Sequence, residues 1–98
     1  MVGQSEIVVR FAGEGGQGVV TAAEMLARAA TGVGYHALTF ATFPSQILGG
    51  PTWTQARVSR TDVLSPGDNV DILVAFNDYA YQEHRGDVRD GGVILLLS

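Results

Sequence analysis

The feature that most limits the fold of this chain is a glycine-rich turn set between a strand-like and a helix-like segment. Gly13-Glu14-Gly15-Gly16-Gln17-Gly18 follows Ile7 to Ala12, a β-branched and apolar run that only Arg10 interrupts. It precedes Val19 to Ala30, where Val19, Ala23, Leu26, Ala27 and Ala30 recur at helical spacing among good helix formers. Gly13, Gly15 and Gly18 satisfy G-x-G-x-x-G in the strand–turn–helix setting which that pattern requires. Glycine admits positive φ and lets another group approach the backbone. The helix amino end behind such a turn presents unpaired N–H groups and partial positive charge, a natural seat for an anion.

The rest of the chain continues the alternation. Gly32 and Gly34 stop the helix, and Tyr35 to Thr42 reads as a second strand. Phe43 to Pro51 is irregular, punctuated by Pro44, Gly49, Gly50 and Pro51. Thr52 to Ser59 alternates, with Trp53, Gln55 and Arg57 on one side and Thr54, Ala56 and Val58 on the other. Ser65-Pro66-Gly67-Asp68 is a turn signature. Asp71 to Phe76 and Val93 to Leu97 read as buried-type strands, separated by a short helix capped by Asn77 or Asp78 and ending before Gly86 or Gly91. This order predicts an α/β, Rossmann-like fold with a largely parallel sheet and flanking helices. An apolar strand left at an open edge is a liability, so residues 1–98 read as the N-terminal portion of a larger domain.

Composition narrows the function classes. A chain of 98 residues fits one domain and buries only about 60–65 % of its unfolded surface. With 46 % apolar and 16 % charged residues it is not a disordered sequence. The basic residues are all Arg, and the formal charge of -4 disfavours nucleic acid as a partner. No Cys is present for a thiolate metal site or cluster. The apolar runs are far shorter than the ~20 residues of a membrane span, and Met1 to Glu6 lacks the pattern of a signal peptide. A cytoplasmic protein is the expectation.

Few side chains suggest chemistry. Dinucleotide binding calls for an acidic residue at the end of the second strand, and no Asp or Glu lies between Gly32 and Pro51. Glu14 would also repel a phosphate if it pointed inward. The glycines could instead serve only tight packing or a protein contact. His36 and His84 lack metal-ligand spacing, and Asp87, Arg89 and Asp90 read as a solvated face. Trp53 is either core or an interface anchor. Ser45 has no His–Asp partners that would make it a nucleophile. No catalytic set and no metal site is visible.

The longer pattern carries more information. Phe11 to Glu24, Phe43-Pro44-Ser45-Gln46-Ile47-Leu48-Gly49-Gly50-Pro51 with Gln55 to Ser59, Ser65 to Asn77 and Gly91 to Leu95 together resemble the gamma-type domain of 2-oxoacid:ferredoxin oxidoreductases. The four blocks occur in family order across nearly the whole chain. The resemblance implies a component of an enzyme that oxidatively decarboxylates a 2-oxoacid to its acyl-CoA and passes electrons to ferredoxin. Thiamine diphosphate, Mg and 4Fe-4S clusters are then expected on other segments or subunits. This region would assist assembly and help accommodate coenzyme A, either as a separate subunit or as the N-terminal part of a fused alpha subunit. Its working surfaces would be Gly13, Glu14, Gly15, Gly16, Gln17 and Gly18, with Ser45, Gly49 and Gly50. The family commonly carries a basic residue just before the glycine pair, where this chain has Leu48; Arg57 and Arg60 are the nearest substitutes. The partners implied are other subunits and, through the complex, ferredoxin, with no membrane. The competing reading is a free-standing Rossmann-type nucleotide-binding module, and a third is an interaction domain with no ligand.

Overall fold

The computed structural model describes residues 6–14, 18–42, 51–60 and 69–97. Among them run β1 (Glu6–Glu14), α1 (Val19–Gly32), β2 (His36–Thr42), β3 (Pro51–Ser59), β4 (Val70–Ala75), α2 (Asp78–His84), a 3-10 turn (Arg85–Asp87) and β5 (Val88–Leu96). Each expected strand and helix is present. The expected turn at Ser65 to Asp68 lies outside the described residues.

The five described strands form one sheet in the order β2-β3-β1-β4-β5. β1, β4 and β5 pair in parallel, while β3 is antiparallel to both β1 and β2. Four strands therefore point one way and β3 alone opposes them, in keeping with the expected α/β class and largely parallel sheet. The insertion of β3 between β1 and β2 is the part that the order of elements in the sequence did not disclose.

Two helices cover the sheet from opposite sides. The crossovers from β1 to β2 and from β4 to β5 run in opposite directions along the sheet, and right-handed connections then place their helices on different faces. α1 packs on β1, β2 and β3, burying Val19, Ala23 and Ala30 as one stripe. Thr54 and Ala56 of β3 are buried beneath it. α2 packs on β1, β4 and β5, and its Ala80 joins a buried cluster with Ala12, Val70, Leu73 and Ala75. Trp53, Tyr81 and Val88 pack against that cluster while remaining partly exposed.

The β4–β5 ladder contains a bulge. Val70 pairs with Val88, but Ile72 pairs with Val93, so Arg89, Asp90, Gly91 and Gly92 stand opposite Asp71 alone. Gly91 takes φ 82, and a Cβ on Gly92 would lie 2.5 Å from Val88 Cγ1. The Asp71 carboxylate turns inward, accepting from the Val8 backbone N–H at 2.8 Å and from Arg89 Nε. Asp87, Arg89 and Asp90 are exposed, as the sequence suggests, and Arg89 in addition answers a carboxylate that is mostly buried.

β5 also departs from expectation. Val93 to Leu97 read as a buried-type strand, yet these residues stay 37–49 % exposed. β5 is the outer strand of the described sheet; besides its partner β4, α2 and the 3-10 turn contact it.

Candidate functional site

Register gathers the ends of the like-directed strands along one edge. Thr42 of β2 pairs with Trp53 of β3, Trp53 with Ala12 of β1, Ala12 with Ala75 of β4, and Ala75 with Leu96 of β5. This row crosses the whole sheet. Just past it lie Gly13 and Glu14, the amino end of α1, the start of β3 at Pro51, and the amino end of α2. This is the carboxyl edge, where ligands bind in open α/β sheets.

The two helix ends on this edge differ. α2 is closed by its own side chains: Asn77 Oδ1 accepts from the Ala80 N–H at 2.7 Å, and Asp78 supplies an acid in the first turn. α1 begins at Gly18, whose φ 82 and ψ 19 are left-handed, with no side-chain cap and no acid in its first turn. The Gly18 carbonyl accepts from Ala22 N–H at 2.9 Å. Among the described residues, nothing lies within 4 Å of where a Cβ on Gly18 would be. Among the described residues, then, no side-chain cap and no first-turn acid offsets the positive potential at the amino end of α1.

Of the residues expected at the site, Gly13 is buried at the end of β1 opposite Thr52, Glu14 is exposed opposite Pro51, and Gly18 begins α1. Gly15, Gly16, Gln17, Ser45, Gly49 and Gly50 lie outside the described residues. Leu48 lies outside the described residues, so the substitute cations are placed only relative to Gly13. Arg57 pairs in register with Val8, five positions from Gly13, or roughly 17 Å along the strand. It bonds Glu6 at 2.5 Å. Arg60 follows the far end of β3.

Sequence reasoning missed a second cluster, on the face of the sheet that meets α2. Arg10 is buried, and its Nε donates to Gln55 Oε1 at 2.8 Å. One guanidinium nitrogen donates to Asp87 Oδ2 at 2.7 Å and lies 3.0 Å from His84 Nδ1. The guanidinium sits 4.3 Å from the Trp53 ring centre, and His84 meets the same ring edge-on at 5.9 Å. Asp87 is thereby an ion-pair partner rather than a purely solvated residue. Arg10 inside an apolar strand and Gln55 in register beside Trp53 were the available signals. The contact spans 74 residues to His84, which no local pattern reports.

Fold and edge together define an α/β domain that offers an open helix amino end behind a glycine turn. The inserted β3 keeps the end of β2 away from that turn, which removes the neighbouring parallel strand that a dinucleotide ribose needs. Residues 8–98 match the family described as pyruvate ferredoxin/flavodoxin oxidoreductase. Ketoisovalerate oxidoreductase subunit VorA of Methanothermobacter marburgensis is 40 % identical over 91 residues, which are 92 % of this chain and 19 % of that protein. The structure of 2-oxoglutarate:ferredoxin oxidoreductase from Magnetococcus marinus, with 2-oxoglutarate, coenzyme A and succinyl-CoA bound, superposes with a TM-score of 0.88 at 32 % identity, covering 96 % of this chain and 16 % of that one. The gamma subunit of a keto/oxoacid ferredoxin oxidoreductase from Geobacter sulfurreducens gives a TM-score of 0.82 at 28 % identity, covering 95 % of this chain and 51 % of that one.

The chain belongs to the pyruvate ferredoxin/flavodoxin oxidoreductase family, and within it the match is to the gamma-type domain. It spans under a fifth of VorA and about half of the Geobacter gamma subunit. Among the described residues no helix is long and apolar enough to cross a membrane.

Proposed function

We propose that residues 1–98 are the N-terminal portion of the gamma-type domain of a 2-oxoacid:ferredoxin oxidoreductase, and that they help accommodate coenzyme A and assemble the complex. The reaction converts a 2-oxoacid and coenzyme A to carbon dioxide and acyl-CoA, with electrons leaving to ferredoxin in the cytoplasm. The observation that carries this reading is the uncapped amino end of α1 behind Gly18, on the carboxyl edge of the sheet. Coenzyme A carries phosphates, and an open helix end with no acid in its first turn suits them. The Gly13 to Gly18 turn would let those phosphates approach the backbone. Ser45, Gly49 and Gly50, in the segment leading into β3, would flank them. The Magnetococcus relative, described with coenzyme A bound, supports the same assignment.

The other groups of such an enzyme, thiamine diphosphate, Mg and 4Fe-4S, belong in this reading to other segments or subunits; the sequence of this chain has no Cys that could ligate a cluster.

The test is made in the assembled enzyme that carries this segment. Gly18→Val places a side chain at the open helix end. KM for coenzyme A should rise about tenfold, equivalent to ~1.4 kcal/mol, while decarboxylation of the 2-oxoacid without coenzyme A stays unchanged. An assembled variant with unchanged coenzyme A kinetics would reject the assignment. Calorimetric binding of NAD in place of coenzyme A would favour a nucleotide-binding module instead.

A further inference from the structure

We propose that His84 is a pH-operated latch: neutral, it fastens the carboxyl end of α2 to the sheet through Arg10, and protonated, it lets that end go. The proposal concerns the α2 face and is independent of the coenzyme A reading.

The geometry fixes the chemistry. Arg10 can only donate, so His84 Nδ1, 3.0 Å from its guanidinium nitrogen, must accept. That requires a neutral imidazole with its proton on Nε2. When solvent delivers a proton to Nδ1, the acceptor becomes a donor and a second cation faces Arg10. The bond cannot persist. The guanidinium does not yield easily, because Gln55, Asp87 and the Trp53 ring also hold it. His84 must move, and it is the last residue of α2.

The charges around His84 do not cancel this effect. Arg10 of β1 opposes protonation, as does burial, while Asp87 of the 3-10 turn and Glu83 of α2 favour it. The net result holds its pKa below the usual 6.5. On β4 and β5 the ionised residues Asp71 and Arg89 are bonded to each other. β3 presents Gln55 and Trp53. A lowered folded-state pKa means that the fastening is complete above pH 6.5 and fades as pH falls through the lowered value.

In the protein that carries this segment, the His84 imidazole nitrogen resonances should titrate in one step with a midpoint below 6.5. The ring signals of Trp53, whose centre is 5.9 Å from that of His84, should follow the same step. His84→Gln, which keeps an acceptor but no titrating proton, should abolish the step at Trp53. Amide exchange within α2, corrected for intrinsic rates, should speed up severalfold across the same step in the wild type only. Imidazole nitrogen NMR at neutral pH, which needs no variant, should find the proton on Nε2. A proton on Nδ1 at neutral pH, a midpoint at or above 6.5, or α2 exchange that ignores the titration would each overturn the proposal.

Discussion

The backbone carbonyl oxygen of Asp71 lies 2.8 Å from the point where a Cβ on Gly92 would be placed. Two strands approach this closely because the bulge crowds four β5 residues against one residue of β4. Val88 Cγ1 is nearer still, so no small shift of one atom makes room. Gly92→Ala should therefore destabilise the fold by about 1–3 kcal/mol, the scale of overpacking. Gly91→Ala should lose roughly 1–2 kcal/mol for a different reason, its φ of 82. Urea denaturation of the two variants checks both. A Gly92→Ala variant as stable as the wild type would mean that the bulge is not held in this geometry.

Beneath α1, Thr54 has its hydroxyl buried without a hydrogen-bond partner, and the residue is 1 % exposed. An unsatisfied buried hydroxyl is a net loss, whereas a methyl group of the same shape is not. Thr54→Val should raise stability by up to ~1 kcal/mol. Thr54→Ala should lower it, since the lost γ-methyl leaves a cavity. The sign of the difference in the urea midpoint separates these outcomes.

Asp71 has two obligations, the Val8 N–H and Arg89. Asp71→Ala leaves a buried N–H unmet and a guanidinium without its partner, and should destabilise by about 1–3 kcal/mol. Asp71→Asn retains an acceptor for Val8 and should lose less. Arg89 is more exposed than Asp71, so Arg89→Ala should fall between the wild type and Asp71→Ala. Thermal unfolding of the three variants tests this order.

How much of this was legible beforehand depended on whether the determinant was local. The strand before the glycines and the α1 stripe each lie within one element and were read from the sequence, while the cap was narrowed to Asn77 or Asp78, of which Asn77 supplies it. The edge position of β5 was not readable from five apolar residues, because a covered strand and an open one can share that pattern. The insertion of β3 beside β1 depends on pairing residues some forty positions apart, such as Arg10 with Gln55. The His84 cluster depends on a still longer separation. At the carboxyl edge, Gly13 and Gly18 were found from spacing alone. What the spacing could not say is that α1 is the uncapped helix end and α2 the capped one, a difference set by side-chain contacts at Asn77.

That difference makes the last prediction. Val19 is buried in the first turn of α1, whereas Val20 and Thr21 are less covered. An acid placed at Thr21 would supply the negative charge that the first turn lacks, and a carboxylate there favours the helix by about 0.3–1 kcal/mol. Thr21→Glu should thus stabilise the fold slightly. The same charge would compete with an incoming phosphate at the amino end of α1. In the assembled oxidoreductase it should raise KM for coenzyme A severalfold while the Tm of the domain rises or holds. A structural role alone predicts that stability and coenzyme A use move together. Opposite movement in one variant separates a binding surface from a packing element, and parallel movement would count against the helix end as the place where coenzyme A is held.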